Sequence, residues 1–240
     1  MAWRRFGSIV LVATALALLL PRPGYATVGQ YWLSVPLDRS AADQEFRALS
    51  DELRRSAFLL DNTAVFKMYG GIVSLLSDDV MTDFFRLLQE HHVALAMEMP
   101  PLSKNNWANC GSTSEGFTTR AQIEGWMRKI RKNGGELAYL AMDEPLYYGH
   151  IFDGGPRHGR ACRVPIPELA RDAAGNLGAV REIFPAVRIG DIEPVSFYGT
   201  GPSPSREELT EWFEAFRAAW GAPLAFFHYC LLYTSDAADE

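Results

Sequence analysis

The chain has 240 residues, 48% of them hydrophobic, and 23 Lys and Arg against 29 Asp and Glu give a formal net charge of −6. No basic run or patch occurs, so nucleic acid is not expected as a partner. The mild acidity suits a soluble protein but selects no particular ligand.

The N-terminus reads as an export signal over residues 1–26. Arg4 and Arg5 give a positive start, Ile9 to Leu20 is an unbroken run of apolar or small residues, and Pro21 ends it. Gly24 and Ala26 put small residues where a signal peptidase needs them. The run is shorter than the roughly 20 residues a bilayer span requires. The expected product is therefore secreted or periplasmic, with no membrane contact after cleavage. At the other end, Cys230 to Glu240 reads as translated sequencing-adapter DNA, and such segments do not belong in an argument about fold. The domain is accordingly taken as residues 27–229, with natural sequence expected to continue past Tyr229.

Within that domain, short apolar runs alternate with amphipathic segments. Tyr31–Val35 is a weak first strand. Val65–Tyr69, Val93–Met97, Leu137–Met142, Val187–Ile189 and Leu224–Phe227 are stronger ones. Between them, Val80, Phe84, Leu87 and Leu88 make one helical stripe behind Ser77. Thr119 with Gln122 forms a capping-box pattern, and Gly134 ends the helix it opens. Pro167 opens a helix carrying Leu169, Leu177, Val180 and Phe184. Ser205 with Glu208 is a second capping box, followed by Leu209, Trp212, Phe213, Phe216 and Trp220 and ended by Gly221. Alternation of this kind implies a parallel sheet covered by helices. A doubly wound sheet would carry a glycine-rich phosphate turn after an early strand, and none is present. The expected fold is α/β, a (β/α)8 TIM-type barrel truncated at its C-terminal end. Cys110 and Cys162 either pair or remain buried thiols, since sequence does not supply their separation.

The strand ends carry the chemistry. They read Phe66-Lys67-Met68-Tyr69-Gly70-Gly71, Ala96-Met97-Glu98-Met99-Pro100, Ala141-Met142-Asp143-Glu144-Pro145, Gly190-Asp191-Ile192-Glu193-Pro194 and Phe226-Phe227-His228-Tyr229. One acid at a strand end is ordinary, because loops begin there. Several such ends converging on one barrel mouth make a site. Lys67, Glu98, Glu144, Glu193 and His228 are expected to cluster at that mouth. Proline disfavours the helical region for the residue before it, so Glu144 and Glu193 are expected in extended backbone. Asp191 and Glu193, two apart, share a face, whereas Asp143 and Glu144 point apart.

Asp143-Glu144-Pro145 on an apparent fourth strand resembles the Asn-Glu-Pro of the large retaining glycoside hydrolase superfamily built on (β/α)8 barrels. The resemblance implies that Glu144 is the acid/base and that the nucleophile lies at the end of a seventh strand, beyond Tyr229. Glu193 is the alternative partner, and Asp143 stands where that superfamily has Asn. Tyr69, Trp107, Tyr147, Tyr148 and His150 supply aromatic faces suited to a carbohydrate, with Lys67, Glu98, Asp191 and His228 as polar contacts. No cofactor and no metal are expected. Two other readings stay open. One is a metal-dependent sugar enzyme using Glu98, Glu144, Asp191, Glu193 and His228, although no HExxH or His-x-His pattern occurs. The other is a glycan-binding barrel without catalysis. Gly-x-Ser-x-Gly is absent, so a serine nucleophile is not indicated.

Overall fold

The computed structural model describes residues 31–34, 39–104, 106, 107, 110, 116–155, 159–194 and 203–230. Residues 1–26, Val35 and the segment from 231 to 240 lie outside the described residues. Six parallel strands form one sheet: β1 (Tyr31–Leu33), β2 (Thr63–Tyr69), β3 (Ala94–Met99), β4 (Leu137–Asp143), β5 (Arg188–Pro194) and β6 (Phe227–Cys230). The connections carry α1 (Ala42–Arg55), α2 (Ala57–Asn62), α3 (Gly70–Leu75), α4 (Asp78–Glu90), α5 (Arg120–Lys132), α6 (Ile166–Ile183) and α7 (Arg206–Trp220). Among the described residues no helix is long and apolar enough to cross a membrane.

Spatial order follows chain order from β1 to β6. Each crossover therefore moves one strand in the same direction, with no reversal of the kind a doubly wound sheet has at its switch point. With right-handed crossovers, all helices fall on one face. The other face closes on itself. Trp32 on β1 lies 5.1 Å, ring to ring, from Tyr139 on β4, and 4.8 Å from both Phe226 and His228 at β6. In a flat sheet β1 and β6 would stand about 24 Å apart, five spacings of about 4.8 Å. The sheet is thus curled into part of a TIM-type barrel around an interior that Trp32 crosses. The outer edges of β1 and β6 have no strand partner among the described residues.

Strand alternation divides the side chains between two layers. Phe66, Met68, Leu95, Met97, Leu140, Met142 and Ile189 join the helices in one buried apolar cluster. Phe84 of α4 ties the layers together, its ring 4.8 Å from Phe66 and 5.0 Å from Phe46 of α1. Lys67, Tyr69, Ala96, Glu98, Tyr139, Ala141, Asp143, Gly190 and Ile192 have the opposite parity and face the interior. A Cβ at Gly190 would collide with the Phe226 ring, so only glycine lets that ring lie on β5.

Helix boundaries follow local chemistry. The capping boxes at Thr119–Gln122 and Ser205–Glu208 both form. Gly134 and Gly221, at φ +82° and +85°, take the left-handed turns that end α5 and α7. Three helices, α1, α2 and α3, join those the sequence marks. Strand pairing at β6 begins at Phe227 rather than Leu224. Two residues before it, Ala225 N–H already donates to Ile189 O at 2.7 Å.

Candidate functional site

On the interior face, β2 and β3 bring Lys67 and Glu98 into an ion pair, with side chains only 15% and 10% exposed. A pair so little hydrated holds only if both partners stay, because either charge alone would be stranded. Tyr69 sits opposite Glu98 in the β2–β3 register, and Lys67 Nζ lies 5.6 Å from the Tyr69 ring centre. Burial first, and then the Glu98 charge, push the Tyr69 phenol up; the positive Lys67 opposes them. His228 faces the same space. Burial first, and then the positive Lys67, hold its imidazole below the usual histidine range. Asp143 has the parity of Ala141, the residue paired with Glu98, and so lies diagonally across the same face. Its charge reaches Tyr69 and adds to the rise of that phenol.

Glu144 sits at the junction of β4 with a helical turn at Tyr147–Ile151, and it is buried. It is not extended, as Pro145 led one to expect, but left-handed at φ +48°. The chain reverses from strand to helix in this one residue, and the turn is held from outside. Glu144 N–H donates to Ile192 O at 3.0 Å, and Tyr148 N–H donates to Glu144 O at 3.0 Å. Glu193 Oε1 accepts from Leu146 N–H at 2.7 Å and Oε2 from Tyr147 N–H at 3.0 Å.

Those bonds place Glu193 away from the interior. Asp191 and Glu193 do share a face, as expected, but it is the face of Ile189, toward the helices. Both are fully buried there. Asp191 Oδ2 accepts from the Trp212 indole of α7 at 2.7 Å, and its Oδ1 has no hydrogen-bond partner among the described residues. Burial drives both carboxyls well above the usual range. The Asp191 charge and then Glu144 add to the effect at Glu193, against the two amides; at Asp191 the Trp212 bond opposes it. The expected grouping of Lys67, Glu98, Glu144, Glu193 and His228 thus divides. Lys67, Glu98 and His228 line the interior with Asp143, Glu144 stands at the rim, and Glu193 and Asp191 lie behind the sheet.

The loops after β3 and β4 are tied to each other. Cys110 and Cys162 form a disulfide with Cα atoms 5.1 Å apart. Asp172 of α6 accepts from Ser103 N–H at 2.8 Å, from the Asn106 amide, and from the Trp107 indole at 3.2 Å. Tyr148 packs edge-on against Tyr147 at 5.0 Å, and a Cβ on Gly116 would press into Tyr148 at 2.8 Å. Burial, then the charge of Glu144, raises the Tyr147 phenol. Trp32, Tyr139 and Asp172 carry no strand-end signal in the sequence, and Trp212 stands there only as one member of the apolar stripe of α7. Trp32 was within reach as the one indole of the weak first strand, whereas nothing in the pattern of α6 marks Asp172.

Among the described residues, no group of three or more His, Cys, Asp or Glu side chains is placed to hold a metal ion. The arrangement offers an ion pair, an imidazole and the Asp143 carboxyl on the interior face, with Glu144 at the end of β4, while Trp107, Tyr147 and Tyr148 pack against the apolar core.

No protein-family model and no curated protein matches the chain. Among solved structures, D-psicose 3-epimerase in the presence of D-fructose is 9% identical over 84% of this chain and 63% of that one, with TM-score 0.44. D-Psicose 3-epimerase with D-tagatose from Clostridium cellulolyticum H10 is 8% identical over 84% and 60%, with TM-score 0.43. Beta-glucosidase from Thermotoga maritima in complex with glucoimidazole is 13% identical over 79% and 55%, with TM-score 0.40. The chain spans less than two thirds of each of these proteins, and the likeness is one of chain course alone.

Proposed function

We propose that the barrel mouth binds a carbohydrate and cleaves a glycosidic bond, with Glu144 donating the proton to the departing oxygen. The observation that carries this reading is the setting of Glu144: a buried carboxyl on a left-handed turn at the end of β4. Glycoside hydrolysis needs one carboxyl that keeps its proton and another that is ionised. Burial and like charges are the means by which proteins separate those two roles.

In this reading Asp143, facing the interior, accepts a sugar hydroxyl. Glu98 and Lys67 act as one ion-paired polar wall, and Tyr69, Tyr147, Tyr148 and Trp107 supply aromatic faces. The ionised partner belongs to a seventh strand after Tyr229, as the glycoside hydrolase resemblance implies. Glu193 is committed to backbone amides behind the sheet. Export through the N-terminal segment belongs to the same proposal, since it brings the protein to extracellular or periplasmic glycans. The test is turnover of aryl glycosides and oligosaccharides by wild type and Glu144→Gln. Loss of general-acid catalysis lowers kcat by about 100-fold or more on substrates with poor leaving groups. Equal turnover by the variant would sink the assignment. Binding of glycans by wild type without cleavage would favour a glycan-binding barrel.

A further inference from the structure

Every backbone donor of the turn that carries Glu144 is accounted for, and two of them depend on one side chain. Glu144 N–H is taken by Ile192 O, Pro145 has no N–H, and Tyr148 N–H is taken by Glu144 O. Leu146 and Tyr147 N–H remain, and the two oxygens of Glu193 accept one each. Amides at the start of a helical turn have no partner within it and need one from outside. Such partners normally come from the residue just before the helix, through a short side chain. Here that residue is Glu144 itself, whose carboxyl is to be kept for chemistry, and the acceptor comes instead from the neighbouring strand.

We propose that Glu193 is the positioning residue for Glu144, fixing the left-handed turn that aims its carboxyl at the barrel mouth. This rests on the assignment of Glu144 as the acid. A left-handed non-glycine residue costs on the order of 1–3 kcal/mol and persists only where its surroundings enforce it. Ile192 O and Glu193, adjacent on β5, supply that enforcement from opposite parities of one strand: a carbonyl for residue 144 and the two carboxyl oxygens of Glu193 for residues 146 and 147. Because Glu193 is fully buried behind the sheet, it touches no substrate. It acts through the backbone of Glu144.

The test uses Glu193→Gln, which has nearly the same volume. A glutamine offers one acceptor oxygen, and its NH2 group faces a donor, so one of the two amides loses its partner. Three readings separate positioning from simple destabilisation. First, exchange of the Leu146 and Tyr147 amides, followed by NMR or on a short peptide, rises well above wild type, while amides of β2 and α4 stay unchanged. Second, kcat falls by about 100-fold on glycosides with poor leaving groups, the size expected when a catalytic group is misplaced by about 1 Å. KM stays within about twofold, and an activated dinitrophenyl glycoside, which needs little protonation, is nearly unaffected. Third, Glu193→Asp, which keeps both acceptor oxygens, recovers part of the loss. Unchanged exchange at the two amides would overturn the proposal, as would an equal rate loss on good and poor leaving groups. If wild type cleaves no glycoside, the catalytic reading fails, and the exchange measurement alone then decides whether Glu193 holds the turn.

Discussion

Lys67 and Glu98 form a little-hydrated ion pair; Tyr69 feels the charge of both, and His228 that of Lys67. His228 is held below the ordinary histidine value of 6.5 mainly by burial and secondly by Lys67. Its ring is expected to titrate below 6.5 in an NMR pH series. In Lys67→Met with Glu98→Gln, which removes the ion pair without stranding either charge, the midpoint rises but stays below that value, because the larger cause remains. A midpoint at or above 6.5 in wild type would contradict the buried placement. Asp191 gives a prediction on stability. Its carboxyl is raised in the folded state, so below the unfolded carboxylate pKa of about 3.9 both states hold the proton and it costs nothing. As pH climbs from there toward the folded pKa, the unfolded chain ionises first and stability drains away. Asp191→Asn keeps an acceptor for the Trp212 indole and cannot ionise. Denaturant unfolding should show the variant gaining on wild type steadily above about pH 4, with no gain below. Lys67, Glu98, Asp143 and His228 were legible as polar endings on apolar strands. The direction of Asp191 and Glu193 was not. Alternation says that they share a face, but Ile189 and Ile192 are both apolar and Gly190 is silent, so β5 carries no hydropathy signal of which face is inward.

Among the elements, those written in short-range chemistry were the readable ones. Thr119–Gln122, Ser205–Glu208, Gly134 and Gly221 place the ends of α5 and α7 because capping is decided within four residues. α1 carries Ala42, Phe46, Ser50 and Leu53 on its buried side, a weak stripe interrupted by a polar residue, and it escaped notice. The turn at Glu144 was misread for a different reason. The local bias of a residue before proline is overruled by acceptors on β5, which lies far along the chain. The disulfide is likewise a long-range fact. Cys110 and Cys162 are separated by 52 positions and brace the loops after β3 and β4. In the chain-entropy account, closing a loop of that size is worth about 4 kcal/mol. Calorimetry with and without reductant, or of Cys110→Ser with Cys162→Ser, should register a loss up to that size. Lower protection of the Trp107 loop against proteolysis should accompany it. No change in either would mean that the bridge does not brace this region in solution.

For the molecule as a whole, closure is the governing feature. Among the described residues the sheet has two free edges, at β1 and β6, and Tyr31 and Tyr229 on them are more than half exposed. Unpaired edges recruit other chains. Sedimentation velocity of the 240-residue chain is therefore expected to show concentration-dependent association, diminished when Tyr31 is replaced by Lys. A strictly monomeric boundary at high concentration would show the edges to be covered. The interior is sealed on one side by Trp32, which rests on Tyr139, Phe226 and His228. This contact joins β1 to β6, and it has a consequence for the chain as it is made. A ribosome adding ~5–20 residues per second needs roughly 10–40 s to travel from Trp32 to His228. During that interval β1 has emerged while its β6 partners do not yet exist. Nascent chains arrested before Phe226 should leave Trp32 wet and open to protease, and its packing should complete only when β6 clears the exit tunnel.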